Sequence, residues 1–164
     1  MTPHDSPFVG RFIRVKLCFP QLDQYNRKIR GHITLFVTSV YHPVDEVEHA
    51  DFTDTLSSIM TSVPKLAEFI GRHDVNANLG ISTKMYRKTL GPWGIDNHNM
   101  KRRIIIWFFS QHRLKVTNRF YKKPPLVTWR LFGNSKSPHM LDVISVSETF
   151  FKCVRNCGVS PRGM

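Results

Sequence analysis

The first quarter of the chain contains two stretches whose side-chain pattern is typical of β-strands. Residues 8–19 alternate imperfectly between apolar and polar positions and end at Pro20, and residues 32–41 are rich in β-branched and aromatic side chains. The polar residues 21–31 predict a turn between them. Proline cannot donate to a β-ladder, so Pro43 ends the second strand. Because this strand is almost continuously apolar or β-branched, we expect it to be central in its sheet.

The middle of the chain alternates between helical patterns and breakers. Apolar residues recur at helical spacing over residues 44–63, and Pro64 ends that helix. Residues 65–70 predict a short strand or the approach to one. Residues 74–99 contain several glycine and proline breakers and predict a loop. A second helix is expected over residues 101–113.

The second helix and the segment after it complete the predicted elements. Asn99 can cap this helix, and its inward-facing side chains are expected to be Ile104, Trp107 and Phe108, with Ile105 as a further candidate. Trp129 is also expected in the core. Three short strands are predicted over residues 115–120, 126–131 and 140–146. The mixture of strands and helices, without internal repeats, predicts one α+β domain over residues 1–164.

Charge is distributed unevenly along the chain, whose net charge is +12. Six basic and two acidic residues give +4 over residues 1–43, and one basic and six acidic residues give −5 over residues 44–70. Seventeen basic and four acidic residues give +13 over residues 71–164. This asymmetry is expected if one face contacts a polyanion such as nucleic acid. The alternative is a solvated basic surface without a partner.

Composition excludes several other classes of protein. With 41% hydrophobic and 12% aromatic residues, the chain can bury a core and is not generally disordered. No run approaches the roughly 18 consecutive apolar residues of a membrane span, and residues 1–10 lack the pattern of a secretory signal. Cys18, Cys153 and Cys157 make a poor disulfide framework. We therefore expect an intracellular protein, nuclear or cytoplasmic and not secreted; the oligomeric state is open.

Four short stretches place polar residues where strands are predicted to end. In chain order they are Thr38-Ser-Val-Tyr41-His-Pro43; His73-Asp74-Val75-Asn76-Ala77; Val116-Thr-Asn118-Arg-Phe120 followed by Val127-Thr-Trp129-Arg130; and Met140-Leu-Asp142-Val-Ile144. Together, by order and spacing, they resemble the endonuclease/exonuclease/phosphatase family, in particular its retrotransposon-encoded, LINE-like endonucleases. The resemblance extends over essentially the whole chain. It implies two mixed β-sheets packed face to face with flanking helices, a DNase I-like four-layer sandwich, here partial.

The resemblance implies a phosphodiesterase site and a role for each matching residue. Asp74 would orient the attacking water or bind Mg²⁺ (or Mn²⁺), Asn76 and Tyr41 would contact the phosphate, and Asp142 would orient a histidine. These residue types suit phosphodiester cleavage, which needs an aligned water and neutralised phosphate charge. Alternatives stay open: Asp74 and Asn76 can be turn formers, and Tyr41 can be a half-buried aromatic.

The sequence departs from the family at both ends of the expected site. The family has an asparagine and a metal-binding glutamate ahead of the tyrosine strand, but no glutamate precedes Glu46 here. The family also ends in Ser-Asp-His, which this chain lacks, and two positions of the family's Gly-Asp-Phe-Asn-Ala are His73 and Val75. We therefore expect an incomplete domain with little or no activity, in which binding of Mg²⁺ is doubtful.

Basic residues supply candidate contacts to nucleic acid, with DNA favoured over RNA. They are Lys101, Arg102, Arg103, Arg119, Lys122, Lys123 and Arg130. The leading hypothesis is a fragment of a retrotransposon-type endonuclease. A second hypothesis is a non-catalytic, basic nucleic-acid-binding module, and a third, from charge alone, is a basic protein-interaction domain of the ribosomal type.

Overall fold

A mixed five-stranded sheet forms the frame of the protein. A computed structural model describes residues 10–22, 27–96, 98–122, 128 and 138–158. Its strands are β1 (Phe12–Leu22), β2 (Lys28–Tyr41), β3 (Glu68–Asp74), β4 (Leu114–Val116) and β5 (Asp142–Ser147), arranged in the order β1-β2-β3-β5-β4. Only β2 and β3 run parallel. The predicted α+β class is confirmed, and no second sheet occurs within the described ranges.

Among the described residues, three α-helices accompany the sheet: α1 (Glu46–Thr61), α2 (Arg87–Leu90) and α3 (Arg102–Gln111). Helix α1 begins where the Asp45 carboxylate accepts hydrogen bonds from two free backbone N–H groups, those of Val47 at 2.9 Å and Glu48 at 3.0 Å. It connects the parallel strands β2 and β3, a connection that needs a crossover of this length. None of the helices in the described part is long and apolar enough to cross a membrane.

Helices pack on one face of the sheet, and part of the other face is exposed to solvent. Helices α1 and α3 pack on the face formed by Phe36, Val40, Phe69 and Val143, which are all buried. The opposite face is open across β1 and β2, where Ile13 is 64% exposed and other apolar side chains are about half exposed: Val15, Phe19 and Ile33. We call these the covered face and the open face.

Several predicted strand limits are wrong. Pro20 lies within β1 instead of ending it; β1 is an edge strand, where a proline without an N–H is tolerated, and the register is irregular there. The predicted turn shortens, because β1 runs to Leu22 and β2 starts at Lys28. The prediction that the strand over residues 32–41 is central is confirmed, because β2 is paired on both sides, with β1 and with β3. After β4 the chain turns through the 3-10 segment Thr117–Arg119, so the strand predicted to Phe120 is too long.

The two long helices are confirmed, but details of α3 are wrong. The Asn99 side chain does not cap it: Lys101 is the residue at the cap position, and no side-chain cap bond forms. The buried residues are Ile105, Ile106, Phe108 and Phe109, whereas Trp107 is 50% exposed. Trp129 and the strand predicted over residues 126–131, apart from residue 128, lie outside the described residues.

Candidate active site

Three of the residues singled out in the sequence form a row across three neighbouring strands. Tyr41 ends β2 and pairs in register with Asp74, the last residue of β3. Asp74 in turn pairs with Asp142, the first residue of β5. Residues that are paired in register have side chains on the same face of a sheet. The hydroxyl of Tyr41 and the two carboxyl groups therefore share one end of the open face.

Asn76 joins this row through a tight turn. The Asp74 carboxylate accepts a hydrogen bond from the Asn76 backbone N–H at 3.2 Å, and the Asn76 side-chain amide donates to the His42 carbonyl at 2.7 Å. Asn76 adopts φ +42°, a left-handed conformation that few residues other than glycine adopt. The structure thus brings together the four residues to which the resemblance gives catalytic roles.

Burial is the largest influence on the pKa of the Asp74 carboxyl group. Burial raises the pKa of its carboxyl group above the ordinary value, and the nearby Asp142 carboxylate raises it further. The hydrogen bond from the Asn76 N–H and the Arg72 guanidinium act in the opposite direction. A carboxyl group with a raised pKa is a better proton acceptor at neutral pH than an ordinary aspartate.

Three buried histidines support this turn from the covered face. The His49 ring donates from Nε2 to the Val75 carbonyl at 3.0 Å, His42 Nε2 lies 3.4 Å from His73 Nδ1, and His73 Nε2 lies 2.8 Å from the Ser145 hydroxyl. Burial lowers the pKa of each imidazole, that of His73 to about 3. The rings are therefore neutral, and they connect α1, β3 and β5 below the row.

The start of β5 is held by residues of the third sequence motif. The Asn118 side chain donates to the Asp142 carbonyl at 3.2 Å and accepts from the Ile144 N–H at 3.3 Å. The Thr128 hydroxyl accepts from the N–H groups of Leu141 at 2.9 Å and Asp142 at 3.0 Å. Asn118 and Thr128 therefore position the backbone of Asp142.

A cation of the chain itself lies beside the carboxylates. Arg72, two residues before Asp74 on the same face of β3, donates from Nη2 to Asp142 Oδ1 at 3.2 Å. The resemblance would have Asp142 orient a histidine; instead Asp142 pairs with Arg72. The sequence analysis missed Arg72, although the alternation of a strand places residues 72 and 74 on one face.

The residues present fit a divalent metal ion poorly. Mg²⁺ demands oxygen ligands in near-octahedral geometry and is usually held by one or two carboxylates together with substrate phosphates. At this site one carboxylate already pairs with Arg72, and the other accepts the Asn76 N–H. Across the part of the chain that the structure describes, no group of three acidic, histidine or cysteine side chains could hold a metal ion.

The candidate nucleic-acid contacts separate into surface and interior residues. Arg119 was predicted as a contact and is 1% exposed: it donates from Nε to the Trp93 carbonyl at 3.0 Å and from Nη2 to the Gly80 carbonyl. Burial lowers its pKa to about 10. Arg119 therefore ties the 80–94 segment to the fold, and its assignment as a nucleic-acid contact is wrong.

The other basic candidates remain near the surface where the structure describes them. Arg103 and Lys122 are exposed, and the Lys122 ammonium lies 5.2 Å from the centre of the Trp93 ring. Lys101 donates to the Val44 carbonyl and Arg102 to the Ile81 carbonyl, each at 2.8 Å, so both are partly committed to the fold. Lys123 and Arg130 lie outside the described residues.

Comparison with known proteins gives likeness in structure but none in sequence. No family model matches the chain, and no curated protein matches its sequence. Among solved structures, the chain is similar to the endonuclease domain of TRAS1, a telomere-specific non-LTR retrotransposon, at 19% identity and a TM-score of 0.47. The match covers 85% of this chain, which spans 58% of the length of that domain. A likeness at this level identifies neither family nor activity.

Proposed function

We propose that the chain is part of a nucleic-acid phosphodiesterase domain of the retrotransposon-endonuclease type, with weak or no cleavage by the chain as it stands. The observation that supports this is the register of Tyr41, Asp74 and Asp142, with Asn76 bound into the same turn. In this proposal Asp74 orients a water, and Tyr41 and Asn76 contact a phosphate of DNA, the favoured substrate.

Slow cleavage is expected because, within the described residues, the site has few groups that could stabilise the transition state. The partner shown for the Asp142 carboxylate is the Arg72 guanidinium, where the resemblance would have a histidine. Loss of one stabilising group commonly lowers the rate by ~10² to 10³, and the effects of linked losses do not simply add. Nicking of supercoiled plasmid by the wild-type chain and by Asp74→Ala, with and without Mg²⁺ or Mn²⁺, tests this. Rapid, metal-dependent nicking that disappears in Asp74→Ala would contradict the expectation of weak activity.

A second candidate, binding of nucleic acid without cleavage, is favoured by the exposure of Arg103 and Lys122. Binding should weaken steeply with salt, since each phosphate contact on duplex DNA contributes about 0.9 to the log–log slope. Changing both residues to alanine should lower this slope by nearly 2. Changing Lys16 and Lys28 on the β1–β2 hairpin removes the same charge and should change it less. Binding that is absent at low salt would contradict both candidates.

We also propose that the open face is the inner face of a two-sheet sandwich. Its support is the half-exposed apolar side chains of Val15, Phe19 and Ile33. Soluble monomers seldom expose contiguous apolar patches of more than a few hundred Å², and a second sheet packs about 10 Å from such a face. Protection of these side chains from solvent on addition of a chain that supplies the second sheet would support this part of the fold prediction.

A further inference from the structure

Two acidic residues and one basic residue occupy adjacent positions at the end of the open face. Asp74 and Asp142 are register partners, and Arg72 is diagonal to Asp142 because its own partner is Ile144. A diagonal separation on a sheet is within reach of a long side chain. The Arg72 guanidinium uses that reach to contact Asp142 at 3.2 Å.

The contact alters the charge balance of the pair. Two carboxylates that share a site repel each other, and a cation between them relieves that repulsion. A divalent ion would relieve it by binding both carboxylates, whereas Arg72 relieves part of it from within the chain. The same guanidinium also repels any second cation that approaches Asp142.

We infer that Arg72 is the resident counter-ion of the Asp74–Asp142 pair, in the place that a divalent metal ion would occupy, and that it prevents the pair from binding Mg²⁺ or Mn²⁺ tightly. The inference rests on the proposed function, because a phosphodiesterase is the reason to expect a metal ion there. The evidence for the inference is independent of that function, because it consists only of contacts between residues of the chain without a ligand.

The Arg72–Asp142 ion pair is partly exposed to solvent, and this exposure determines what removal of Arg72 should do. The Arg72 and Asp142 side chains are 67% and 36% exposed, and a solvated pair of this kind contributes little to folding. Removal of Arg72 should therefore leave the fold intact. It should also remove the repulsion of one positive charge at short range, which corresponds to about a tenfold gain in metal affinity.

The test measures metal binding directly, without nucleic acid. Mn²⁺ is titrated into ¹⁵N-labelled chains, and paramagnetic broadening at Asp74, Asn76 and Asp142 is followed; Mg²⁺ binding is measured by calorimetry. Arg72→Gln should bind about tenfold more tightly than the wild-type chain. Arg72→Lys keeps the charge and should behave like the wild type, and Lys16→Gln, which removes an exposed charge elsewhere, should not gain affinity.

Each alternative result would overturn the inference. If the wild-type chain binds the ions as tightly as Arg72→Gln, Arg72 excludes nothing. If no variant binds at the pair, Arg72 is not what prevents binding, and if Arg72→Lys binds like Arg72→Gln, the charge is not the cause. Circular dichroism checks that each variant is folded. Failure of nucleic-acid binding, with the metal results as expected, would instead contradict only the proposed function.

Discussion

The covered and open faces of the sheet are built from similar residue types but have different surroundings. On the covered face, Val40 and Val143 are 3% and 1% exposed beneath α1 and α3. On the open face, Val15 of β1 is 50% exposed. A strand places alternate residues on opposite faces, so both environments come from the same stretches of chain. Most of the burial that stabilises the fold therefore comes from one face, and the other has apolar and polar groups available for contact.

The difference extends to the ionisable groups. The covered face contains the neutral, buried histidines His42, His49 and His73, and burial lowers the pKa of each. The end of the open face contains Asp74, whose pKa burial raises. Lowering the pH should therefore destabilise the fold through the buried histidines and stabilise it through Asp74. The net change in the free energy of unfolding is the largest effect that we expect.

We expect stability to fall as the pH drops below about 6.5, the ordinary pKa of histidine. Below that pH the unfolded chain binds protons that the buried rings do not, down to about pH 3 for His73. Each such proton lowers the free energy of unfolding by up to about 1.4 kcal/mol per pH unit. Asp74 has the opposite effect on stability. Because its pKa is raised in the folded chain, the folded state binds a proton at a higher pH than the unfolded state does.

Urea denaturation at pH 7.5, 6.5, 6.0 and 5.5 measures the slope of the free energy of unfolding against pH. The His73→Asn variant should show a slope smaller by one proton's contribution. Thr53→Ser, a change in the same buried region that removes no titratable group, should keep the wild-type slope. Stability that is constant between pH 6.5 and 5.5 would show that these histidines are accessible to protons in the folded chain.

The second prediction compares neighbouring aromatic residues of α3. Phe108→Ala should lower the free energy of unfolding by about 3–5 kcal/mol, because the fully buried ring leaves a cavity. Trp107→Ala should lower it by clearly less, because half of the Trp107 side-chain surface is already exposed to solvent. Chemical denaturation of both variants at pH 7.5 measures this. Equal losses for the two variants would contradict the assignment of Trp107 to the exposed side of α3.

The error over Trp107 shows what the sequence could not resolve. Residues 104–109 are six consecutive apolar residues, so several helical stripes fit them equally well. Only the approach of α3 to β3, with Phe108 and Phe109 beside His73, selects the buried stripe. Arg119 was misassigned for a similar reason: the carbonyl groups that satisfy its guanidinium belong to Gly80 and Trp93, which are remote in sequence.

The position of the candidate-site residues near strand ends was partly predictable from the sequence. Tyr41 ends a strand whose end was predicted, Asp74 lies four residues beyond the predicted end of the next strand, and Asp142 lies two residues inside a predicted strand. The pairing of these strands is a long-range property, and it determines that the three side chains share a face. Arg72 could have been inferred from alternation alone, but its contact with Asp142 depends on the β3–β5 register.

The third prediction makes the same substitution on each face. Val143→Thr should cost about 1–3 kcal/mol, because a hydroxyl group is introduced at a fully buried position. Val15→Thr on the open face should change stability by no more than about 0.5 kcal/mol and should reduce binding of a hydrophobic dye. Denaturation and dye fluorescence measure the two effects. Equal costs at the two positions would mean that the open face is covered in solution.

The smallest expected effects concern the two non-glycine residues with left-handed backbones. Arg113, just beyond the C-terminus of α3, has φ +51°, a position where glycine is common. Arg113→Gly should relieve strain and stabilise the chain by about 0.5–1 kcal/mol, since the Arg113 carbonyl keeps its bond from the Glu148 N–H. Asn76→Gly relieves similar strain but loses the amide that donates to the His42 carbonyl, and it should destabilise by about 1 kcal/mol. Chemical denaturation of both variants under the same conditions measures the two changes in stability. If both variants are stabilised, the Asn76 side chain contributes nothing to the stability of the turn at Asp74.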